Sequence, residues 1–187
     1  IYSRMAALNA EEAISLFKQM GLTGMNVTAP FKKEIMNHLD HIDEAASKIG
    51  GVNTVVKEKG KLVGYNTDHF GVTQSFENRG ISIEGKNCVV LGAGGAGRAA
   101  VYGLLKKGGQ VTVLNRAYEK AKDVAEILGC RSLPIERLKE VLYPADIFVS
   151  TISTSAEIVP GDWLRQGLVF FDANYKNVQF AHTALQC

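Results

Sequence analysis

Apolar residues follow two rhythms along the chain, and the change between them divides it. Through residues 1–80 short helix and strand patterns are mixed. Ala13, Leu16, Phe17 and Met20 stand at i, i+3, i+4 and i+7, one face of a helix. Asn9 can cap that helix, Glu11 and Glu12 suit its positive end, and Gly21 ends it. Gly24-Met25-Asn26-Val27-Thr28 predicts a short strand. Pro30 is placed to open a second helix, because a missing N–H costs nothing in the first turn. Asp43 caps a third, short helix that ends at Gly50-Gly51. Val52 to Val56 and Lys61 to Tyr65 predict a hairpin with Lys57-Glu58-Lys59-Gly60 as its turn. Thr67 or Asp68 caps the next helix, with Phe70, Thr73 and Phe76 on one side and Arg79-Gly80 at its end.

Ile81-Ser82-Ile83-Glu84-Gly85 reads as a connector, and the domain boundary is expected there. From Lys86 the rhythm becomes strand, helix, strand, helix. Asn87-Cys88-Val89-Val90-Leu91, Val111 to Leu114, Ile147 to Thr151 and Leu168 to Phe171 are apolar runs suited to strands buried on both faces. Ala121, Val124, Ala125 and Leu128 mark the apolar side of one intervening helix. Such alternation predicts a parallel sheet with right-handed crossovers. The expected fold class is α/β in two domains: an α/β domain over residues 1–80 and a Rossmann-type parallel-sheet domain over 81–180, with 181–187 as a tail.

The strand ending at Leu91 runs into Gly92-Ala93-Gly94-Gly95-Ala96-Gly97. Gly92, Gly94 and Gly97 fall in the G-x-G-x-x-G spacing, and Ala96, Ala99, Ala100 and Leu104 line one face of the helix that follows. A turn of this kind needs the first glycine for its sharp bend. The second lets a pyrophosphate approach the backbone, and the third lets the helix pack on the strand. The free N–H groups at the helix start then hold phosphate. At the end of the next strand stands Asn115-Arg116, where an acid would read the ribose of NAD. Asn115 can bond sugar hydroxyls and Arg116 can pair with a 2′-phosphate, so the expected cofactor is NADP.

Bulk properties narrow the classes. The 187 residues carry a net charge of +2, too small to argue for nucleic acid or a membrane surface as partner. No apolar stretch approaches the ~20 residues that span a bilayer. Cys88, Cys130 and Cys187 show no paired spacing, which suits reduced thiols in a cytoplasmic protein. His38 and His41 form an i, i+3 pair without further ligands and are expected on a solvated helix surface, so no metal site is expected.

Two further segments carry polar groups suited to chemistry. In Asn26-Val27-Thr28-Ala29-Pro30-Phe31-Lys32-Lys33, alternation puts Asn26 and Thr28 on one face of a strand, and Lys32 falls in a first helical turn that disfavours a cation. In Asn66-Thr67-Asp68, the aspartate serves as a helix cap or as a reacting group. Asn53 stands at a strand start, where an amide can orient a polyhydroxyl substrate.

Taken together these segments resemble the shikimate dehydrogenase family, from the first helix to about Tyr175. The family's Asn-Val-Thr-x-Pro-aromatic-Lys run is similar to Asn26 through Lys32, its Asn-Thr to Asn53-Thr54, and its Asn-Thr-Asp to Asn66-Thr67-Asp68. Its glycine-rich turn and its NADP-reading Asn-Arg stand at Gly92 to Gly97 and Asn115-Arg116. The resemblance implies NADPH-dependent reduction of 3-dehydroshikimate to shikimate in aromatic amino-acid biosynthesis. Lys32 and Asp68 would be its catalytic pair, and Asn26, Thr28, Asn53, Asp68 and Tyr175 would contact a small-molecule substrate. Hydride would cross a cleft between the domains. The family's paired serines and its glutamine-bearing last helix have no counterpart among these residues, and Thr151 to Val159 departs from the common Asn-Ala-Thr pattern. Quinate or a related polyol acid is the alternative substrate; a non-catalytic dinucleotide sensor is the alternative outside enzymes, with no need for both Lys32 and Asp68.

Overall fold

The computed structural model describes residues 2–152 and 159–173. The chain divides into two compact units between Asp68 and His69. The expected boundary at the 81–85 connector differs by one helix, because Val72, Phe76 and Ile83 are buried in the core of the second unit.

The first unit opens with helix α1, Ala10–Gln19. Its cap is reciprocal: Asn9 accepts from the Glu12 N–H, and the Glu12 carboxylate accepts from the Leu8 N–H at 2.5 Å. Ala10, Ala13, Ile14 and Phe17 are its buried face. They pack with Ile35, Ala46, Val52, Val55 and Leu62 in one core. Strand β1, Gly24–Asn26, pairs antiparallel with β3, Thr54–Glu58. Strand β4, Lys61–Tyr65, closes the hairpin with β3, and β2, His41–Ile42, lies parallel to β4, giving the order β1-β3-β4-β2. The hairpin turn is only Lys59-Gly60, since Lys57 and Glu58 belong to β3 and pair with Leu62 and Lys61. Both turn residues have positive φ, +48° and +84°, the requirement of a two-residue type I′ turn. Helix α2, Glu44–Ile49, is capped by Asp43 and closed by left-handed Gly50.

Two expectations fail in this unit. No helix starts at Pro30. A turn follows the cis Ala29-Pro30 bond, and a 3₁₀ helix comes only at Glu34–His38. The reason is the Lys32 carbonyl, which accepts from the Val52 N–H at 2.7 Å and so is taken from the helical ladder. His41 is not on a helix with His38 but on edge strand β2.

Helix α3, Asp68–Glu77, begins on the last residue of the first unit and otherwise belongs to the second; its buried face is His69, Val72, Thr73 and Phe76, and Phe70, expected inside, is 59% exposed. Strands β5 (Asn87–Leu91), β6 (Gln110–Asn115), β7 (Arg131–Pro134), β8 (Ile147–Ser150) and β9 (Val169–Asp172) form an all-parallel sheet in the order β7-β6-β5-β8-β9. Helices α4 (Gly95–Lys106), α5 (Tyr118–Leu128) and α6 (Leu138–Leu142) connect them. Strand residues alternate between two cores. Cys88, Val90, Val111, Val113, Ile147 and Val149 bury on one face, and Val89, Leu91, Leu114 and Phe148 on the other. Chain direction across the sheet reverses around β5, the place where open α/β sheets bind ligands. Among the described residues no helix is long and apolar enough to cross a membrane.

Candidate active site

The hairpin ends bring three polar segments of the first unit together. Asn53 precedes β3 and donates its N–H to the Tyr65 carbonyl at 2.9 Å, which sets it beside Asn66, Thr67 and Asp68 at the end of β4. Lys32 reaches the same point because its carbonyl is bonded to Val52. Its Nζ lies 2.7 Å from Asp68 Oδ2, with both side chains about three-tenths exposed (31% and 30%). The pair is therefore formed and partly open to solvent.

The other Asp68 oxygen, Oδ1, accepts from Asn53 Nδ2 at 2.8 Å. The second hydrogen of that amide faces Thr67 Oγ1 at 3.0 Å. Asn53 Oδ1 accepts from Thr54 Oγ1 at 2.9 Å and from the Thr67 N–H at 3.0 Å. Every hydrogen-bonding position of Asn53 is thus in use, and its amide holds Asp68. The carboxylate is turned toward Lys32 and Asn53, and the α3 N-terminus is served instead by Asn66, whose Oδ1 accepts from the Asp68 N–H at 3.0 Å. The expected cap was Thr67 or Asp68; the side chain that accepts at the helix start is instead that of Asn66, to which residue patterns assign no capping role. The available signal was the placement of Asn66 two residues before a helix start, the spacing of an Asx turn.

Asn26 and Thr28 are exposed with buried Val27 between them, although the strand ends at Asn26, two residues short of the expected Thr28. Asn26 Oδ1 accepts from the Tyr2 hydroxyl at 3.2 Å. Lys33 is exposed next to Lys32. Tyr175 and residues 153–158 lie outside the described residues.

In the second unit Leu91 leads into Gly92, with φ +115°. A Cβ on Gly97 would stand 1.9 Å from the Gly92 carbonyl oxygen, so strand and helix meet backbone to backbone. Gly94, the N-cap of α4, and Gly95 have open space where a side chain would start. Gly94, Gly95 and Ala96 are exposed, while Ala93 is buried and its N–H donates to Asn115 Oδ1 at 3.3 Å. Asn115 Nδ2 donates to the Ala117 carbonyl at 3.0 Å, which aims the following Arg116 outward, where it is exposed. This cradle fits a dinucleotide: an open helix N-terminus for the pyrophosphate and an exposed cation at the tip of β6 for a further phosphate. Among the described residues no cluster of three or more His, Cys, Asp or Glu is placed to hold a metal ion.

A Rossmann-type unit with an open glycine turn, and a lysine–carboxylate pair carried by the other unit, define an α/β protein of dinucleotide-binding architecture. Residues 2–55 match the shikimate dehydrogenase substrate binding domain and residues 73–178 the shikimate / quinate 5-dehydrogenase model. The chain belongs to the shikimate dehydrogenase family. It is 42% identical over 170 residues to the shikimate dehydrogenase (NADP(+)) of Pyrococcus furiosus, covering 89% of this chain and 62% of that one. The crystal structure of shikimate dehydrogenase from Aquifex aeolicus superposes with a TM-score of 0.86 at 36% identity, over 94% of this chain and 67% of the other. Shikimate 5-dehydrogenase from Listeria monocytogenes, solved with shikimate and NAD, gives a TM-score of 0.86 at 26% identity, over 98% and 71%. The chain thus spans 62% of the length of the Pyrococcus relative.

Proposed function

We propose that the chain is an NADP-dependent shikimate dehydrogenase, reducing 3-dehydroshikimate to shikimate in aromatic amino-acid biosynthesis, in the cytoplasm. The observation that carries this reading is the partly exposed Lys32–Asp68 contact of 2.7 Å. Hydride addition to a ring ketone leaves negative charge on its oxygen, and that charge needs a donor within about 2.6–3.2 Å. Lys32 Nζ is such a donor. It hydrogen-bonds the ketone oxygen and passes it a proton as the charge develops. Asp68 orients the ammonium and accepts from a neighbouring substrate hydroxyl. Asn53 keeps the carboxylate in place, and meets substrate itself by exchanging its Thr67 bond for a hydroxyl. Asn26 and Thr28 take further hydroxyls, and Tyr175 is assigned to the substrate with them.

NADPH, when bound, supplies the hydride. The turn from Gly92 to Gly97 would hold its pyrophosphate, through backbone N–H groups at Gly94, Gly95 and Ala96. Ala93 and Asn115 would form the wall beside the ribose, and Arg116 would pair with the 2′-phosphate that distinguishes NADP from NAD.

The test is the loss of NADPH absorbance with 3-dehydroshikimate and, separately, with 3-dehydroquinate. Turnover of 3-dehydroshikimate with the higher kcat/KM is expected. Turnover of neither sinks the dehydrogenase reading, and a preference for 3-dehydroquinate moves the substrate to the quinate branch.

A further inference from the structure

Asn66 is 4% exposed, one of few polar side chains buried in the first unit. Both ends of its amide are committed to backbone. Its Nδ2 donates to the Gly51 carbonyl at 2.8 Å, and its Oδ1 accepts from the Asp68 N–H at 3.0 Å. Gly51 is followed by Val52, whose N–H is bonded to the Lys32 carbonyl at 2.7 Å. A short chain of bonds therefore runs from the Asp68 backbone through the Asn66 side chain and residues 51–52 to the Lys32 backbone. The Lys32–Asp68 ion pair closes the ring at its other side.

We infer that Asn66 is a positioning residue, a buried amide staple that fixes the separation of the Lys32 and Asp68 backbones. The inference rests on the role proposed above for that pair. The bonds from Asn53 and Lys32 orient the Asp68 carboxylate, and the Asn66 bonds act one level below, on the backbones that carry the two reacting side chains. Their backbones lie on different segments, a turn after β1 and the start of α3. Only a group that can donate to one segment and accept from the other can tie them, and among uncharged side chains of this reach an amide does so. Serine can still accept from the Asp68 N–H as a local turn but is too short to reach Gly51 as well. Aspartate keeps the acceptor and sets an oxygen against the Gly51 carbonyl, so the spanning bond is lost in both.

The experiment is a double-mutant cycle in the NADPH assay with Asn66→Ser and Lys32→Ala. Displacement of a reacting group by a fraction of a bond length to 1 Å costs up to about 10²-fold. Asn66→Ser is expected to lower kcat about 10- to 100-fold with less than a threefold change in KM for NADPH. In the Lys32→Ala background, with no lysine left to position, it should lower kcat less than threefold. A full repeat of the loss in that background, or an unchanged kcat in the single variant, overturns the inference. A second measurement stands apart from activity. Amide hydrogen exchange at Asp68 should quicken at least tenfold in Asn66→Ala while Val89 in β5 keeps its protection. Unchanged Asp68 exchange overturns the staple even if the activity assay succeeds. An inactive wild-type chain with the expected exchange overturns only the activity reading.

Discussion

The glycine turn of the second unit invites a paired substitution in which the same added methyl group has opposite consequences. In Gly97→Ala the new carbon would lie 1.9 Å from the Gly92 carbonyl oxygen, 2.7 Å from its carbon and 3.1 Å from Thr151 Oγ1, where ordinary contact begins near 3.4 Å. The first two atoms are backbone and cannot rotate aside, and Gly92 is itself held by the Leu114 carbonyl at 2.8 Å. Helix α4 has to lift from β5. Overpacking of a tight core costs about 1–3 kcal/mol, and a backbone obstacle places this case at the upper end. At about 2–4 °C per kcal/mol for a chain of this size, the unfolding midpoint should fall by roughly 6–12 °C. Gly94→Ala differs, because φ is −77° and nothing lies within 4 Å of the added carbon. Its stability should change by no more than about 0.5 kcal/mol. NADP binding should nevertheless weaken at least tenfold, since the methyl fills the space through which the pyrophosphate reaches the backbone. Differential scanning fluorimetry and fluorescence titration of NADPH separate the two effects. A Gly97→Ala protein as stable as wild type, or a Gly94→Ala protein that unfolds early but binds NADP normally, would refute the reasoning.

Lys32→Ala should cut kcat by about 10²–10⁴, the range for positioned acid–base groups, with NADP affinity unchanged, while Lys33→Ala stays near wild type; a damaging Lys33→Ala with a silent Lys32→Ala would reverse the assignment. Arg116→Ala should weaken NADP about 10- to 100-fold, the worth of one charge-assisted bond, and leave NAD nearly untouched, as read by cofactor titration. Burial pushes the Cys88 thiol up to about 12 and the Cys130 thiol up to about 11. Both should resist iodoacetamide at pH 8.5 in the folded chain, reacting at least tenfold more slowly than after unfolding, as peptide mass spectrometry would show. Because these folded-state values are raised above the unfolded thiol value, their contribution to stability is intact below about pH 9 and is lost as pH rises toward 11–12. A chain whose urea midpoint does not fall over that window contradicts the burial argument.

The parallel sheet was legible because both faces of its strands are buried. Runs such as Cys88 to Leu91 and Ile147 to Ser150 have no polar interruption to obscure them. Strand β7 was not, because Arg131, Ser132, Leu133 and Pro134 hold an edge with no fully buried residue. In the first unit, periodicity located α1 and α2, whose caps are encoded within four residues. It misread the segment after Pro30, where a distant backbone donor at Val52 diverts the Lys32 carbonyl. It misread Phe70 for a similar reason: the inward positions of α3 follow from what packs on it, not from its own sequence of aromatics. At the site, residue types pointed to Lys32, Asp68 and Asn53, and the structure places these three side chains in contact. What no local pattern could supply was the part played by Asn66 and Thr67, because their partners lie 14 or 15 residues away across a hairpin.

That hairpin also acts as a ruler. Asn53 stands immediately before its first strand and Asn66 immediately after its second, so the gap between them is measured out by the pairing of Thr54 with Tyr65. The pairing is in turn counted from Lys59-Gly60, five strand residues or about 17 Å away. Side chains alternate with a period of two, so adding or removing one residue at that outlying bend would shift the count and turn the polar ends of the strands away from each other. A change of length in this surface loop, with no change at Lys32, Asn53 or Asp68, is therefore expected to pull the polar ends of the strands out of register.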